Sequence, residues 1–243
     1  MTELTDIHCH VLPQVDDGSK NMETSIEMLR QMYDEGIRRV IVTPHYHKGH
    51  MDADIDTVRS RFHELEEACG ADPKTAGIEL YLGCELYYYP SAISWLQEGV
   101  ISTMAGSDYV LTEFAFTLDK HSIEDGITNL INAGYLPIIA HIERYENLVG
   151  DLDFVSGLIE KGAYVQINSE ALDAPYKVRK FAKKLLKNHM VHFVATDAHG
   201  VHHRTPKLAA AAQYIAKHYG EEYCTRLFSE NPSRILENEY VSS

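Results

Sequence analysis

The sequence is short of cysteine and of positive charge and has no long apolar run, and each shortage excludes something. Its four cysteines, Cys9, Cys69, Cys84 and Cys224, show neither CxxC spacing nor the density of a disulfide framework, which fits a reducing compartment. None has arginine six positions later; Val15, Thr75, Pro90 and Glu230 stand there. The arrangement that makes a thiolate the nucleophile on phosphorus is therefore excluded. No stretch approaches the ~18 apolar residues of a membrane span, and no positive segment followed by an apolar one opens the chain as a secretory signal would. A cytoplasmic protein, not an integral membrane one, is expected. Lys and Arg number 22 against 36 Asp and Glu, a formal charge of −14. That field repels a phosphate backbone, so nucleic acid is a poor partner. Any phosphorylated substrate needs local positive charge from metal ions or arginines.

What is present is a recurring unit: an amphipathic helix, a glycine, a short apolar run, then a polar residue. Met22, Ile26, Leu29 and Met32 fall at helical spacing between Ser19 and Gly36, and Ile55, Val58, Phe62 and Leu65 repeat the pattern. Ser122 is positioned to cap a third helix carrying Ile123, Ile127, Leu130 and Ile131; Phe154, Val155, Leu158 and Ile159 mark another. Gly36, Gly134, Gly162 and Gly220 stand where a helix end calls for positive φ. Strand-like runs lie at Val40–Val42, Leu80–Leu86, Tyr109–Phe114, Leu136–Ile139, Tyr164–Ile167 and Val191–Ala195, with a weaker first run around Ile7. They are short and apolar on both faces, as buried parallel strands are. Strand ends near residues 10, 45, 85, 113, 141, 168 and 197 leave room for a helix in every crossover. The expectation is an α/β fold of one domain over residues 1–243, seven βα units closed into a barrel. An open doubly wound sheet satisfies the same pattern, because closure is not readable from spacing.

Polar residues fall at the C-terminal ends of these runs, where βα barrels carry their active sites. His8 and His10 form an H-x-H pair, and Asp197 and His199 a D-x-H pair. On a strand, residues i and i+2 point the same way, so each pair converges. Asp17, His45, Glu85, Glu113 and His141 complete the set, with Asp16 an alternative to Asp17 and His47 to His45. A lone histidine at a strand end is ordinary. Nine metal-type side chains at six of seven strand ends are not. One ion takes four to six ligands, so this many implies two or three divalent ions, and mixed N and O ligation without thiolate suits Mn, Fe or Zn.

The motifs D-I-H-C-H at 6–10, V-D-D-G at 15–18, T-P-H at 43–45, G-C-E-L-Y-Y at 83–88, T-E-F at 112–114, A-H-I-E-R-Y at 140–145, Q-I-N-S at 166–169 and T-D-A-H at 196–199 span nearly the whole chain. Together they resemble the polymerase-and-histidinol-phosphatase (PHP) superfamily, and within it the bacterial tyrosine-protein phosphatases of the CpsB/YwqE type. The resemblance implies a distorted (β/α)7 TIM-like barrel with a trinuclear site, manganese first among the candidates, held by the nine residues above. It also implies two phosphate-binding arginines, matching Arg144 and Arg204, that act with Asp197 in catalysis. A tyrosine autokinase of capsule or exopolysaccharide synthesis is the implied protein substrate. His47 is a further substrate-binding candidate, and Glu143 a competing salt-bridge partner for Arg144. Clustered divalent ions bring the pKa of water toward about 7, which suits in-line attack on phosphorus.

Two other functions share these motifs: a small-molecule phosphomonoesterase of the histidinol-phosphate type, and a non-catalytic PHP module. The intact ligand set argues against the second. From Lys177 to Lys187 a helix carries six basic residues. It reads as a solvated face or as a docking face for an acidic partner or a membrane surface.

Overall fold

The computed structural model describes residues 3–241. In chain order the strands and main helices are β1 (Leu4–Cys9), α1 (Met22–Asp34), β2 (Ile37–Val42), β3 (His45–Tyr46), α2 (Ile55–Ala71), β4 (Glu79–Leu82), β5 (Glu85–Tyr87), α3 (Ala92–Gln97), β6 (Tyr109–Glu113), α4 (Lys120–Asn132), β7 (Leu136–Ile139), α5 (Leu152–Glu160), β8 (Tyr164–Asn168), α6 (Tyr176–Lys187), β9 (Phe193–Ala195), α7 (Ala209–Tyr219), α8 (Glu221–Thr225) and α9 (Asn231–Glu237). No helix among the described residues is long and apolar enough to cross a membrane.

All strand pairings within the sheets are parallel, in the orders β1-β2-β4 and β3-β5-β6-β7-β8-β9. The two sheets are halves of one. β3 continues β2 past Thr43-Pro44, and β5 continues β4 past Gly83-Cys84. Hydrogen bonds run through both breaks, Gly83 N–H to Val42 O at 2.8 Å and Glu85 N–H to Pro44 O at 3.0 Å. The single run expected over Leu80–Leu86 is thus two strands. Pro44 has no N–H to give a ladder, and a Cβ on Gly83 would stand 2.9 Å from Ile41 Cγ2 and 3.0 Å from Met104 Sδ. The interruption re-aims His45 and Glu85.

The last stave meets the first just beyond β9. Asp197 N–H donates to His8 O and His10 N–H to Ala198 O, both at 2.8 Å, and Cys9 pairs with Ala198. Seven staves therefore close into a barrel, and the open-sheet alternative falls.

Alternation along the strands separates two layers of core. Ile41, Leu111, Ile138 and Phe193 meet in one buried cluster, while their neighbours Val40, Val42, Ile139 and Val194 pack outward in another that holds Met28, Leu29, Ile127 and Leu185 of the helices. Each such side chain contributes roughly 1.5–3 kcal/mol relative to exposure. Two residues beyond Leu111 comes Glu113, and two beyond Ala195 comes Asp197. The polar site is the continuation of the apolar plug along the same face.

Helix ends follow local chemistry. Asn21 caps α1, its Oδ1 accepting the Thr24 N–H at 2.8 Å. Ser122 is not the cap of α4. Asp119 is, accepting the Ser122 N–H at 3.0 Å and O–H at 2.6 Å, because an ionised acceptor makes the stronger cap bond. Gly36, Gly134, Gly162 and Gly220 adopt φ of 86°, 91°, 110° and 103°.

Candidate active site at the barrel mouth

All nine side chains expected to converge do so. Glu85 lies at the centre. Its Oε2 is 3.1 Å from His8 Nε2, His10 Nε2 and His45 Nδ1 alike, and its Oε1 is 2.8 Å from His141 Nε2. Asp197 Oδ1 is 3.5 Å from both His8 Nε2 and His10 Nε2. Glu113 closes one side, 3.4 Å from His141 Nε2 and 3.9 Å from His45 Nδ1. On the other side, Asp17 Oδ1 is 3.4 Å from His199 Nε2 and 3.6 Å from His45 Nε2. Three overlapping groups result: His10, Asp17, His45 and His199; His8, His10, Glu85 and Asp197; and His45, Glu85 and Glu113. Within each, donor atoms lie within 4.8 Å of one another.

The donor set fits divalent cations. The Nε2 atoms of His8 and His10 stand 3.2 Å apart, a contact that two neutral lone pairs do not sustain without a cation or proton between them. Glu85 Oε2, His45 Nδ1 and His199 Nε2 are buried without a hydrogen-bond partner of good geometry. Leaving such atoms unmatched costs about 1–3 kcal/mol each, and first-row divalent ions accept this mixture of nitrogen and oxygen.

The protonation pattern shows the same shortage of positive charge. Burial opposes ionisation of Glu85 and Asp197, yet the neighbouring histidines, His8 foremost, hold both well below the usual carboxylate range. Burial likewise opposes charging of His8 and His10, but Glu85 raises the first and Asp16 the second above the ordinary imidazole value. Burial pulls His45 down to about 4 and lowers His141 and His199. Glu113, buried beside Glu85, is pushed up to about 8.

A second layer orients the first. Asp16, the alternative to Asp17, turns behind the cluster: its Oδ2 meets His10 Nδ1 at 2.8 Å and accepts the His45 N–H at 2.9 Å. Gln166 Oε1 accepts the His141 N–H at 2.7 Å and lies 3.3 Å from His8 Nδ1. Its Nε2 donates to Asn168 Oδ1, and Asn168 Nδ2 donates to Asp197 Oδ2, both at 2.8 Å. Buried Asp6 accepts the Thr196 N–H at 3.0 Å and O–H at 2.5 Å, joining the first and last staves beneath the site. Sequence reasoning assigned no role to Gln166, Asn168 or Asp6. The spacing of Q-x-N on β8 is the signal that could have found the first two, by the rule that paired His8 with His10.

Both arginines reach Asp197. Arg144 Nη2 is 2.9 Å from its Oδ2 and Arg204 Nη2 is 2.6 Å from its Oδ1, and each arginine side chain keeps about a third of its surface exposed. Glu143 is not the partner of Arg144; it turns inward, its Oε1 accepting the Asn168 N–H at 3.0 Å. His141, Asp197 and Arg204 adopt φ of 31°, 53° and 47°, a left-handed backbone costing roughly 1–2 kcal/mol per residue. His47 does not join the cluster. Its ring stacks on Tyr87 at 4.0 Å, beside Glu113 in the β5–β6 register.

Comparison with known proteins places this geometry. The capsular polysaccharide synthesis family CpsB/CapC matches residues 4–237. The chain belongs to the CpsB/CapC family. Within it, the tyrosine-protein phosphatase CpsB of Streptococcus pneumoniae is 34% identical over 245 residues, 98% of this chain and 100% of that protein. Tyrosine-protein phosphatase YwqE of Bacillus subtilis is 30% identical over 240 residues, 98% of this chain and 93% of that one. A crystal structure from work on YwqE and S. pneumoniae CpsB, described as unique metal-dependent tyrosine phosphatases, superposes with a TM-score of 0.91 at 31% identity, covering 98% of this chain and 96% of the other. A phosphotriesterase homology protein of Escherichia coli shares the fold at a TM-score of 0.64 and 14% identity.

Proposed function

We propose that the protein is a metal-dependent protein-tyrosine phosphatase that removes phosphate from a tyrosine autokinase of capsule or exopolysaccharide synthesis in the cytoplasm. The observation that carries this reading is the meeting of eight grouped nitrogen and oxygen donors, and of His141 beside Glu85 and Glu113, with two arginines at Asp197, in a chain of the CpsB/CapC family. His8, His10, Asp17, His45, Glu85, Glu113, His141, Asp197 and His199 would hold two or three divalent ions, manganese first, iron or zinc next. Such ions supply Lewis acidity and lower the pKa of water toward about 7.

The chain's own residues do the rest. Arg144 and Arg204 each spend one Nη on Asp197 and keep further N–H groups for the phosphoryl oxygens, where charge spreads in the transition state. Asp197 holds both guanidiniums in place while carrying one end of the donor cluster. The leaving phenolate, of free pKa about 10, departs without needing a dedicated acid. His47, stacked on Tyr87, would meet the substrate rather than the ions.

Elemental analysis of the purified protein, run beside turnover of a phosphotyrosine peptide and of histidinol phosphate, tests the reading. Bound transition metal and preference for the peptide are expected. Preference for histidinol phosphate would move the assignment to a small-molecule phosphatase. Asp197→Ala should abolish turnover and lower bound metal with a near-native circular dichroism spectrum; full activity in that variant would sink the proposal.

A further inference from the structure

Six of the seven strand ends supply the donors. The seventh, β8, supplies none, and its following loop instead walls a cavity of about 600 Å³. Arg144 and Asn168 line the end of the cavity nearest the site, and Leu172, Val178, Ala211 and Tyr214 give it apolar walls. The volume lies in the range of ligand-binding clefts. Arg144 borders both the cavity and the phosphate site proposed above.

Its outer wall is α6, which contributes Val178 and carries Lys177, Arg179, Lys180, Lys183, Lys184 and Lys187 on an amphipathic frame. Lys207 lines the cavity from the opposite side, and the Lys183 ammonium sits 4.8 Å above the ring of Tyr214. Among the described residues none of these seven cations has a carboxylate partner within 4.0 Å, whereas Arg144, Lys161, Arg204 and Arg234 are all paired. In a chain of net charge −14, the six cations of α6 make a local basic face beside the cavity, whose own lining holds Arg144 and Lys207 together with Glu143, Glu170 and Asp173. Such a face attracts a negatively charged partner and speeds its capture.

We propose that this cavity and the basic face of α6 form a docking site for the acidic polypeptide that flanks a phosphotyrosine. The inference rests on the phosphatase reading above and extends it to the sequence around the phosphate. Apolar side chains of the flanking segment enter the cavity, while its carboxylates face α6 and Lys207.

The test uses the full chain loaded with Mn²⁺ and three substrates: p-nitrophenyl phosphate, a phosphotyrosine peptide with Asp and Glu flanks, and one of equal length with Ser and Gly flanks. Wild type should favour the acidic peptide by about tenfold in kcat/KM at low salt, with the preference shrinking as salt rises. Lys180→Glu/Lys183→Glu/Lys207→Glu should erase the preference. Ala210→Trp, on the exposed rim of the cavity, should raise KM for both peptides. Neither variant should change turnover of p-nitrophenyl phosphate. Equal wild-type kcat/KM on the two peptides would overturn the proposal, as would equal loss on all three substrates in the variants. An intact preference in the triple variant, with binding lost instead to phosphatidylglycerol vesicles, would assign the face to membranes and overturn it too. If wild type hydrolyses none of the three, the phosphatase reading itself fails and this one falls with it.

Discussion

Gln166 bears no charge and ligates nothing, yet it holds two of the nine donors in place through His141 N–H and His8 Nδ1. Orienting partners of metal-site histidines are worth about 10–100-fold in metal affinity or activity. Gln166→Ala should therefore cost that much in manganese affinity, read by isothermal titration, with the fold intact by circular dichroism. Unchanged affinity would show that β8 orients nothing. Arg204→Ala predicts the complementary outcome: its guanidinium touches the cluster only through Asp197, so KM for phosphotyrosine peptide should rise while metal content stays the same. Loss of metal in that variant would mean that Arg204 supports the donors rather than the phosphate. Glu143 illustrates what residue-scale sequence reasoning misses. Adjacent to Arg144 in the chain, it nonetheless points away to the Asn168 N–H, because the left-handed turn at His141 sends successive side chains in unrelated directions.

At the scale of elements, β8 and the segment entering β9 are stitched by a buried histidine. His192 Nδ1 accepts the Val165 N–H at 3.0 Å, and its ring meets Tyr164 edge-on at 5.2 Å. Burial lowers its pKa from 6.5 to about 4, so the folded state keeps the ring neutral and free to accept. The depressed folded value means that its contribution to stability is complete above about pH 6.5 and is lost as pH falls toward 4. The loss is on the order of 3 kcal/mol. Denaturant unfolding from pH 7.5 to 4.5 should show a steeper decline in wild type than in His192→Phe, and parallel declines would refute it. The helix and strand periodicities were legible because they are local. Asp119 displacing Ser122 as a cap, and the splitting of Leu80–Leu86 at Gly83, were not. The first is a choice between two good acceptors three residues apart, and the second follows from Ile41 and Met104 pressing against Gly83 from other elements.

Across the whole molecule, nine donors gathered at one mouth make an electrostatic problem that the fold does not solve with its own side chains. Arg144 and Arg204 neutralise only the Asp197 corner. Divalent ions that bind the folded state alone should stabilise it by about 2.7 kcal/mol at a hundredfold excess over Kd, roughly 5–10 °C in Tm for a domain of this size. Scanning calorimetry with manganese and after chelation checks this; coincident transitions would contradict a preformed cation site.

The amino-acid sequence alone determined the donor types and the strand ends that carry them, since i, i+2 pairing and helix-length spacing are short-range properties of the backbone. Closure of the barrel through Asp197 N–H to His8 O, the orienting work of Gln166 and Asn168, and the cavity beneath a basic helix were decided only in three dimensions. Each depends on how twist and stagger accumulate over seven staves, and that sum brings together residues far apart in the chain.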